Sequence, residues 1–225
     1  QGVLPDGRAW IEMERVTGTN LGDIIAAGLL KTDHVIALGI LIAEGVARIH
    51  EAGFAHRDLK PDNIVRRADG SLVILDLGLA RRLPDDPDDP NRGQVGSIEY
   101  MAPEQIHDSG AARAPADIYA LGCILYELCS GRLPFVGDAN VLSRAHQALR
   151  PPPLSALVPT VPPALEQLAL ACLAKQPDRR RIIKVLDFGI SKIGDTAAAA
   201  ALTKTSALMG TAYYMSPEQL IAPKT

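Results

Sequence analysis

The segment HRDLKPDN, residues 56–63, places an acid, a lysine and an amide close together, and Asp76 follows at the end of a short apolar run. Asp58 can accept a proton from a hydroxyl group, and Lys60 is a point cation suited to a phosphate oxygen. Asn63 and Asp76 offer the oxygen ligands that Mg²⁺ prefers. A base, a phosphate clamp and a metal site together indicate phosphoryl transfer, which depends mainly on positioning and charge stabilisation.

The composition is typical of a globular protein of one or two domains. The chain has 225 residues, of which 47% are hydrophobic and 22% charged. Its net charge of -3 gives no general attraction to nucleic acids or anionic membranes. The apolar stretch 116–129 is too short and too polar to span a bilayer. Three cysteines without metal-ligand spacing predict reduced thiols and a cytoplasmic protein.

The periodicity of the apolar residues predicts a fold that is mainly α with small β-hairpins. Helices are expected at 33–53, 116–131 and 163–176. Two short strands, 63–67 and 72–76, are joined by the turn sequence ADG and predict a hairpin. These elements frame the polar segment, which is therefore expected on a loop between a long helix and a hairpin.

The remaining segments are predicted with less regular structure. Residues 10–16 are strand-like and end in TGTN, a turn and helix cap, whereas residues 79–96 show no periodicity and predict a long loop. The Pro-rich segment 150–163 can be interpreted as a polyproline ligand or as an interhelix connection. We favour the connection because apolar residues are interspersed in the segment and flank it.

The polar segment resembles the catalytic loop of the protein kinase family, of the bacterial-type serine/threonine class. Asp76-Leu77-Gly78 and Ala102-Pro103-Glu104 follow it in the order of that family. The resemblance implies ATP and Mg²⁺ as cofactors and a protein Ser/Thr hydroxyl as acceptor. Asp58 resembles the catalytic base, Lys60 the lysine that contacts the γ-phosphate, and Asn63 and Asp76 the Mg²⁺ ligands.

The resemblance extends to residues that support this loop. His56 resembles the histidine that packs under the Asp-x-Gly step, and Asp117 the aspartate that holds the catalytic-loop backbone. Ser97 stands where the family usually has threonine, and its hydroxyl is expected to bond Asp58 and Lys60. Glu104 is expected to form a buried ion pair with Arg180.

The start of the chain resembles the hinge that binds adenine in this family. Met13 would be the gatekeeper, the Glu14 carbonyl and the Val16 amide would bond the adenine, and Val65 would form the floor of the pocket. ATP and a protein substrate are the expected partners, with no nucleic acid and no membrane segment in this chain.

The resemblance covers residues 9–180 and predicts a protein-kinase-like C-lobe that lacks the N-terminal lobe. No G-x-G-x-x-G loop and no V-A-I-K strand occur in the 225 residues. We therefore interpret residues 1–181 as a truncated kinase domain, with hinge and C-lobe, and expect it to be inactive or nearly so. A non-catalytic, pseudokinase-like binding module and a non-functional chimeric fragment are the alternatives. Because the chain begins with Gln1, it is expected to be a piece of something longer.

Residues 182–225 resemble a second, partial copy of one kinase segment. Asp187-Phe188-Gly189 matches the metal-binding step, and Ser216-Pro217-Glu218 matches Ala-Pro-Glu. This copy has no catalytic loop of its own. We interpret the change near Arg181 as a junction that joins pieces of two kinase sequences. Such a junction arises from a gene rearrangement or from an artefact of sequence assembly. An evolved internal repeat is the alternative.

Overall fold

A computed structural model provides the structure of the chain, which it describes at residues 2–3, 5–6, 8–10, 14–76, 80–82, 96–108, 110 and 113–180. The helices in these ranges are α1 (Leu21–Ala26), α2 (Thr32–Glu51), α3 (Pro103–His107), α4 (Ala114–Ser130), α5 (Ala139–Ala148) and α6 (Pro163–Cys172). The strands are β1 (Gly2–Val3), β2 (Ala9–Trp10), β3 (Thr19–Asn20), β4 (Phe54–Ala55), β5 (Ile64–Arg66), β6 (Leu72–Ile74) and β7 (Arg81–Arg82). The predicted mainly helical fold with small antiparallel hairpins is confirmed.

Helix α4 lies at the centre of the core. It is apolar on all sides, and most of its residues are buried, including Tyr119, Leu121 and Ile124. Such a helix is stable only when other elements surround it. It ends at Gly131, which has a left-handed φ of 68° and donates its backbone N–H to the Glu127 carbonyl at 2.7 Å.

Helices α2 and α6 pack against α4 from different sides. The buried residues of α2 recur at helical spacing and form one apolar stripe, which contains Val35, Leu38, Ile42 and Val46. On the α6 side the contact is close: a Cβ atom added at Gly122 would lie 2.7 Å from the Cβ of Cys172. A glycine at this position lets the two helices approach, and a larger residue would force them apart.

The predicted hairpin is confirmed, with strands slightly shorter than expected. Strands β5 and β6 are antiparallel, with Ile64 opposite Ile74, and β3 pairs with the other edge of β5. The turn is stabilised by Asp69, whose carboxylate accepts the Ser71 N–H at 2.9 Å. Asn20 accepts the Asp23 N–H at 2.7 Å and caps α1, as the TGTN sequence predicted.

Three features differ from the expectations. The expected strand 10–16 is regular only at its start, where β2 pairs with β1, and residues 14–17 are irregular. Within the expected loop 79–96, β7 pairs with β4. Helix α5 was not expected. The pairing of β7 depends on a partner strand far away in the sequence. The buried residues of α5, which are Leu142, Ala145 and His146, recur at helical spacing, so the sequence did carry a signal for this helix.

The Pro-rich segment is an interhelix connection, as predicted. It joins α5 to α6, and Leu154 within it is fully buried. The hydroxyl of Tyr126 on α4 donates to the Pro152 carbonyl at 3.1 Å, so the segment is fixed to the core. Each helix in the described ranges is too short or too polar to cross a bilayer.

His146 on α5 is a fully buried histidine in an aromatic cluster. Its ring packs edge-on against Phe135 and Tyr119, with centroids at 5.1 Å and 5.7 Å, and the Tyr119 hydroxyl lies 3.0 Å from its Nδ1. Lys175 lies over the Phe135 ring, 4.7 Å from its centroid. Burial, together with the Lys175 charge, lowers the pKa of His146 to about 4.

The buried His146 makes the fold acid-sensitive. An unfolded histidine binds a proton near pH 6.5, whereas the folded His146 stays neutral until about pH 4. The free energy of unfolding therefore falls as the pH drops from about 6.5 to 4, by an amount on the order of 2–3 kcal/mol for this group. Urea titrations across this range should show a shallower fall for His146→Gln, whereas His34→Gln, at an exposed position, should match the wild type. Parallel pH profiles for His146→Gln and wild type would contradict the prediction.

Candidate active site

Asp117, at the first turn of α4, fixes the backbone of the catalytic loop, residues 56–63. Its carboxylate accepts the His56 N–H and the Arg57 N–H, each at 2.8 Å. It also accepts from Nε2 of His50, at 2.7 Å, and is 1% exposed. The predicted role of Asp117 in holding this backbone is confirmed. Helix α4 is thereby connected directly to the first two residues of the loop.

His56 connects the catalytic loop to the end of β6. Its Nε2 donates to the Leu75 carbonyl at 2.8 Å, and its Nδ1 accepts the Asp58 N–H at 3.3 Å. A neutral ring with its proton on Nε2 satisfies both bonds. The histidine is fully buried and lies next to the residue that precedes Asp76.

The three predicted catalytic residues meet at the Asp58 carboxylate. Its Oδ1 accepts the Ser97 N–H at 2.8 Å, and its Oδ2 lies 3.1 Å from the Lys60 Nζ. The Lys60 Nζ also donates to the Ser97 hydroxyl at 2.8 Å, as predicted. The expected bond from Ser97 to Asp58 is made by the backbone N–H. Gly96 lets the chain pass this closely, because a Cβ there would lie 2.8 Å from the Asp58 Oδ1.

Asn63 and Asp76 lie at neighbouring ends of the β5–β6 hairpin. The Leu75 N–H donates to the Asn63 carbonyl at 2.7 Å, which continues the strand pairing by one step and brings Asp76 next to the loop. The Asn63 Nδ2 donates to the Asp58 carbonyl at 2.9 Å, so the side-chain oxygen of Asn63 faces away from that bond. Asp76 is exposed, with a left-handed φ of 61°.

The donor set of these two residues fits Mg²⁺. An amide oxygen and a carboxylate are hard ligands, and Mg²⁺ in phosphate-transfer sites is held by one or two such side chains together with phosphates and water. Among the described residues there is no cluster of three or more His, Cys, Asp or Glu side chains that could hold a metal ion without help from a substrate.

The residues predicted to bind adenine are described only in part. Met13 lies outside the described residues. The Glu14 side chain pairs with Arg67 at 2.7 Å on the surface, so only its backbone remains for the expected role. Val16 is half-buried, and Val65 on β5 is 8% exposed.

The predicted ion pair between Glu104 and Arg180 is confirmed. The Arg180 Nη2 lies 2.6 Å from the Glu104 Oε2, and the arginine side chain is fully buried. Nη1 donates to the Pro115 carbonyl at 3.0 Å, in the same first turn of α4 that carries Asp117. The pair therefore joins α3, the start of α4 and the segment after α6.

Sequence reasoning missed several residues that support the site. His50 contributes a bond to Asp117, and Gln105 on α3 bonds to the Arg57 carbonyl at 2.9 Å. The Tyr100 hydroxyl donates to Glu127 at 2.7 Å and fixes the segment after Ser97 to α4. Burial raises the pKa of Glu127. Tyr100 and Gln105 recur at the same spacing in the second kinase segment, as Tyr214 and Gln219, and this recurrence could have identified them. His50 gives no such signal, because its partner Asp117 lies far away along the chain.

Comparison with known proteins agrees with this geometry. The protein kinase domain model matches residues 3–183. The chain is 33% identical over 196 residues to the serine/threonine-protein kinase PknE of Mycobacterium tuberculosis, covering 87% of this chain and 33% of PknE. It is 35% identical over 179 residues to PknL of the same species, covering 78% of this chain and 44% of PknL. A probable serine/threonine-protein kinase of Streptomyces coelicolor, SCO3848, is 34% identical over 176 residues, covering 76% of this chain and 26% of SCO3848.

The chain belongs to the protein kinase family, with bacterial serine/threonine kinases among its relatives. It spans less than half the length of these curated relatives. The family match begins at residue 3, earlier than the resemblance predicted, and includes the β1–β2 hairpin. The second copy of the kinase segment lies outside the described residues.

Removing one partner of the buried ion pair should strongly destabilise the lobe. The substitution Arg180→Met leaves Glu104 without its cation in a largely buried position, so we expect a loss of about 3–5 kcal/mol in the free energy of unfolding. Urea denaturation followed by circular dichroism measures this loss. The matched control is Arg179→Met, at the exposed neighbouring position, which should change stability by less than about 0.5 kcal/mol. Equal effects of the two substitutions would contradict the assigned ion pair.

Proposed function

We propose that this chain provides the catalytic lobe of a protein serine/threonine kinase, which transfers the γ-phosphoryl group of ATP to a protein hydroxyl. The observation that carries the proposal is the convergence of Lys60 and Ser97 on the Asp58 carboxylate, next to the ends of β5 and β6. A purely structural loop has no need for a carboxylate, an ammonium and a hydroxyl in mutual contact at a partly exposed position.

Asp58 acts as the base in the proposed reaction. Its side chain is 12% exposed, so a substrate hydroxyl can reach it from one side, and its Oδ1, which accepts the Ser97 N–H, keeps a further lone pair. As the hydroxyl oxygen forms its bond to the γ-phosphorus, the bond to the ADP oxygen breaks and the hydroxyl proton passes to Asp58. The Ser97 N–H and the Lys60 Nζ hold the carboxylate in place during this step.

Lys60 and Ser97 have a second role in this proposal. The Lys60 side chain is 25% exposed while its Nζ contacts Asp58 and Ser97, so the ammonium group can also reach a phosphate oxygen near the base. The Ser97 hydroxyl steadies the ammonium group at 2.8 Å. The segment that carries Ser97 is thereby coupled to the phosphate clamp as well as to the base.

Asn63 and Asp76 would hold Mg²⁺, as their donor types allow. When it is bound, the ion neutralises charge on the phosphates and orients the transferred group. The Nδ2 bond from Asn63 to the Asp58 carbonyl fixes the amide, and His56 fixes the strand end that precedes Asp76. The base and the metal ligands therefore share one hydrogen-bond network.

The adenine contacts also remain part of the proposal. The backbone of Glu14 and Val16 would bond the adenine, Met13 would be the gatekeeper and Val65 would line the floor of the pocket. Because the 225 residues contain no G-x-G-x-x-G segment to cover the phosphates, we expect this chain by itself to transfer phosphate slowly if at all.

The base assignment is tested by Asp58→Asn in the complete product of the gene. Transfer of labelled phosphate from ATP to a mixture of Ser- and Thr-containing peptides should fall by about 100- to 10,000-fold, because the base is lost. The control Asp33→Asn removes an exposed carboxylate on α2 and should leave the rate unchanged. Undiminished transfer by Asp58→Asn would contradict the assignment. A wild type that transfers no phosphate would favour the alternative of a non-catalytic binding module.

We further propose that residues 1–181 and 182–225 come from two different kinase sequences. The protein kinase domain model ends at residue 183, near Arg181, although the alignment with PknE, over 196 residues of this chain, must extend beyond that point. Sequencing the encoding locus in single long DNA molecules tests this boundary. If the junction is a real gene fusion, we expect one uninterrupted reading frame across the codons around Arg181. Reads that instead continue after Arg180 into the remainder of one kinase domain would make the second Asp-Phe-Gly an assembly artefact.

A further inference from the structure

Gln105 bridges the substrate-facing segment and the catalytic loop. It lies in the first turn of α3, directly after Ala-Pro-Glu, and is 8% exposed. Its Nε2 donates to the Arg57 carbonyl at 2.9 Å, and its Oε1 accepts the Ala102 N–H at 3.0 Å. One buried amide therefore links the start of α3 to a backbone carbonyl that lies 48 residues before Gln105 in the chain.

The peptide that Gln105 contacts is in an unusual conformation. Arg57 has a φ of 71°, in the left-handed region that residues other than glycine rarely adopt. Its N–H is held by Asp117 at 2.8 Å, and its carbonyl is held by Gln105. A residue in such a conformation persists only where its surroundings fix it. Here the two sides of the residue before Asp58 are each held by a buried side chain.

The same segment also contacts the reactive carboxylate. The Ser97 N–H bonds the Asp58 side chain, and Gln105 bonds the backbone immediately before Asp58. The start and the end of the segment 96–105 are thus both attached to the base, one through its side chain and one through the preceding peptide. A shift of α3 would therefore change the direction in which the Asp58 carboxylate points.

We propose that Gln105 is a positioning residue for phosphoryl transfer, acting through the Arg57 carbonyl to hold the left-handed peptide that orients Asp58. The proposal rests on the proposed kinase function. The second kinase segment agrees with it: Gln219 follows Ser216-Pro217-Glu218, although the two copies differ at other motif positions, such as Ser97 and Thr211.

The two bonds of Gln105 can be separated by substitution. Gln105→Glu keeps an oxygen acceptor for the Ala102 N–H but removes the donor to the Arg57 carbonyl, and at neutral pH it places a carboxylate next to that oxygen. In acid the introduced carboxyl group binds a proton, and its O–H can donate to the same carbonyl. A residue that merely fills space or caps α3 gives no such dependence on pH.

The test measures kcat and KM of the complete gene product from pH 8 to pH 5.5. We expect kcat of Gln105→Glu to fall by about 10- to 100-fold at pH 8, as expected for a misplaced reacting group, with KM for ATP within about twofold of wild type. The deficit in kcat of Gln105→Glu, relative to the control variant, should become smaller as the pH is lowered towards 5.5. The control is Gln147→Glu, the same change at an exposed site on α5.

A second measurement does not depend on activity. Amide hydrogen exchange of residues 54–60, followed by mass spectrometry, should be faster in Gln105→Glu than in wild type, while α2 and α4 stay protected. If Gln105→Glu does not fold, both measurements use Gln105→Met, which keeps the side-chain volume and loses both hydrogen bonds. The kinetic readout for Gln105→Met is a drop in kcat at unchanged KM.

The outcomes separate this proposal from the proposed function. Wild-type kinetics of the folded variant at every pH would overturn the positioning role while leaving the kinase function intact. A wild type without any phosphate transfer would overturn both the positioning role and the kinase function. The hydrogen-exchange data would then show whether Gln105 still stabilises the loop. The positioning role would also be overturned if Gln105→Glu transfers phosphate slowly, its amide hydrogen exchange at residues 54–60 matches wild type, and its kcat does not recover in acid.

Discussion

The buried carboxylate of Asp117 is the interaction on which the catalytic loop depends. Two backbone N–H groups and one imidazole donate to it, so the cost of burying its charge is offset by three charge-assisted hydrogen bonds. It lies in the first turn of α4, where the helix dipole further favours a negative charge. Because α4 is surrounded by the core, this carboxylate gives the loop a rigid reference point.

The other parts of the site are arranged around that point. His56 joins the loop to the strand end before Asp76, and the ion pair between Glu104 and Arg180 joins α3 to the start of α4. The Ser97 N–H and Gln105 then attach the intervening segment to the Asp58 carboxylate and to the peptide before Asp58. The Asp58 carboxylate and its direct partners Lys60 and Ser97 are partly exposed, whereas the side chains that fix the surrounding backbone, Asp117, His56 and Gln105, are buried.

The sequence indicated the residues that carry chemistry and the elements with strong periodicity. The loop from His56 to Asn63, the hairpin and the long helices α2 and α4 all follow from local patterns, and the partners of Asp117 and Arg180 were predicted from the family resemblance. By contrast, β7 and the bonds of His50 and Gln105 depend on contacts between distant segments. A polar side chain gives no local signal for a bond whose partner lies dozens of residues away, whether that partner is the Asp117 carboxylate or the Arg57 carbonyl.

The separation along the chain between the catalytic loop and Asp117, which holds it, has a consequence for the synthesis of the protein. Asp117 follows Arg57 by 60 residues, and at about 5–20 residues per second a ribosome takes roughly 3–12 s to add them. Throughout that interval the loop is already synthesised but has no buried acceptor for its N–H groups. During translation, the catalytic loop therefore takes its shape only after α4 has emerged, however early its own residues leave the ribosome.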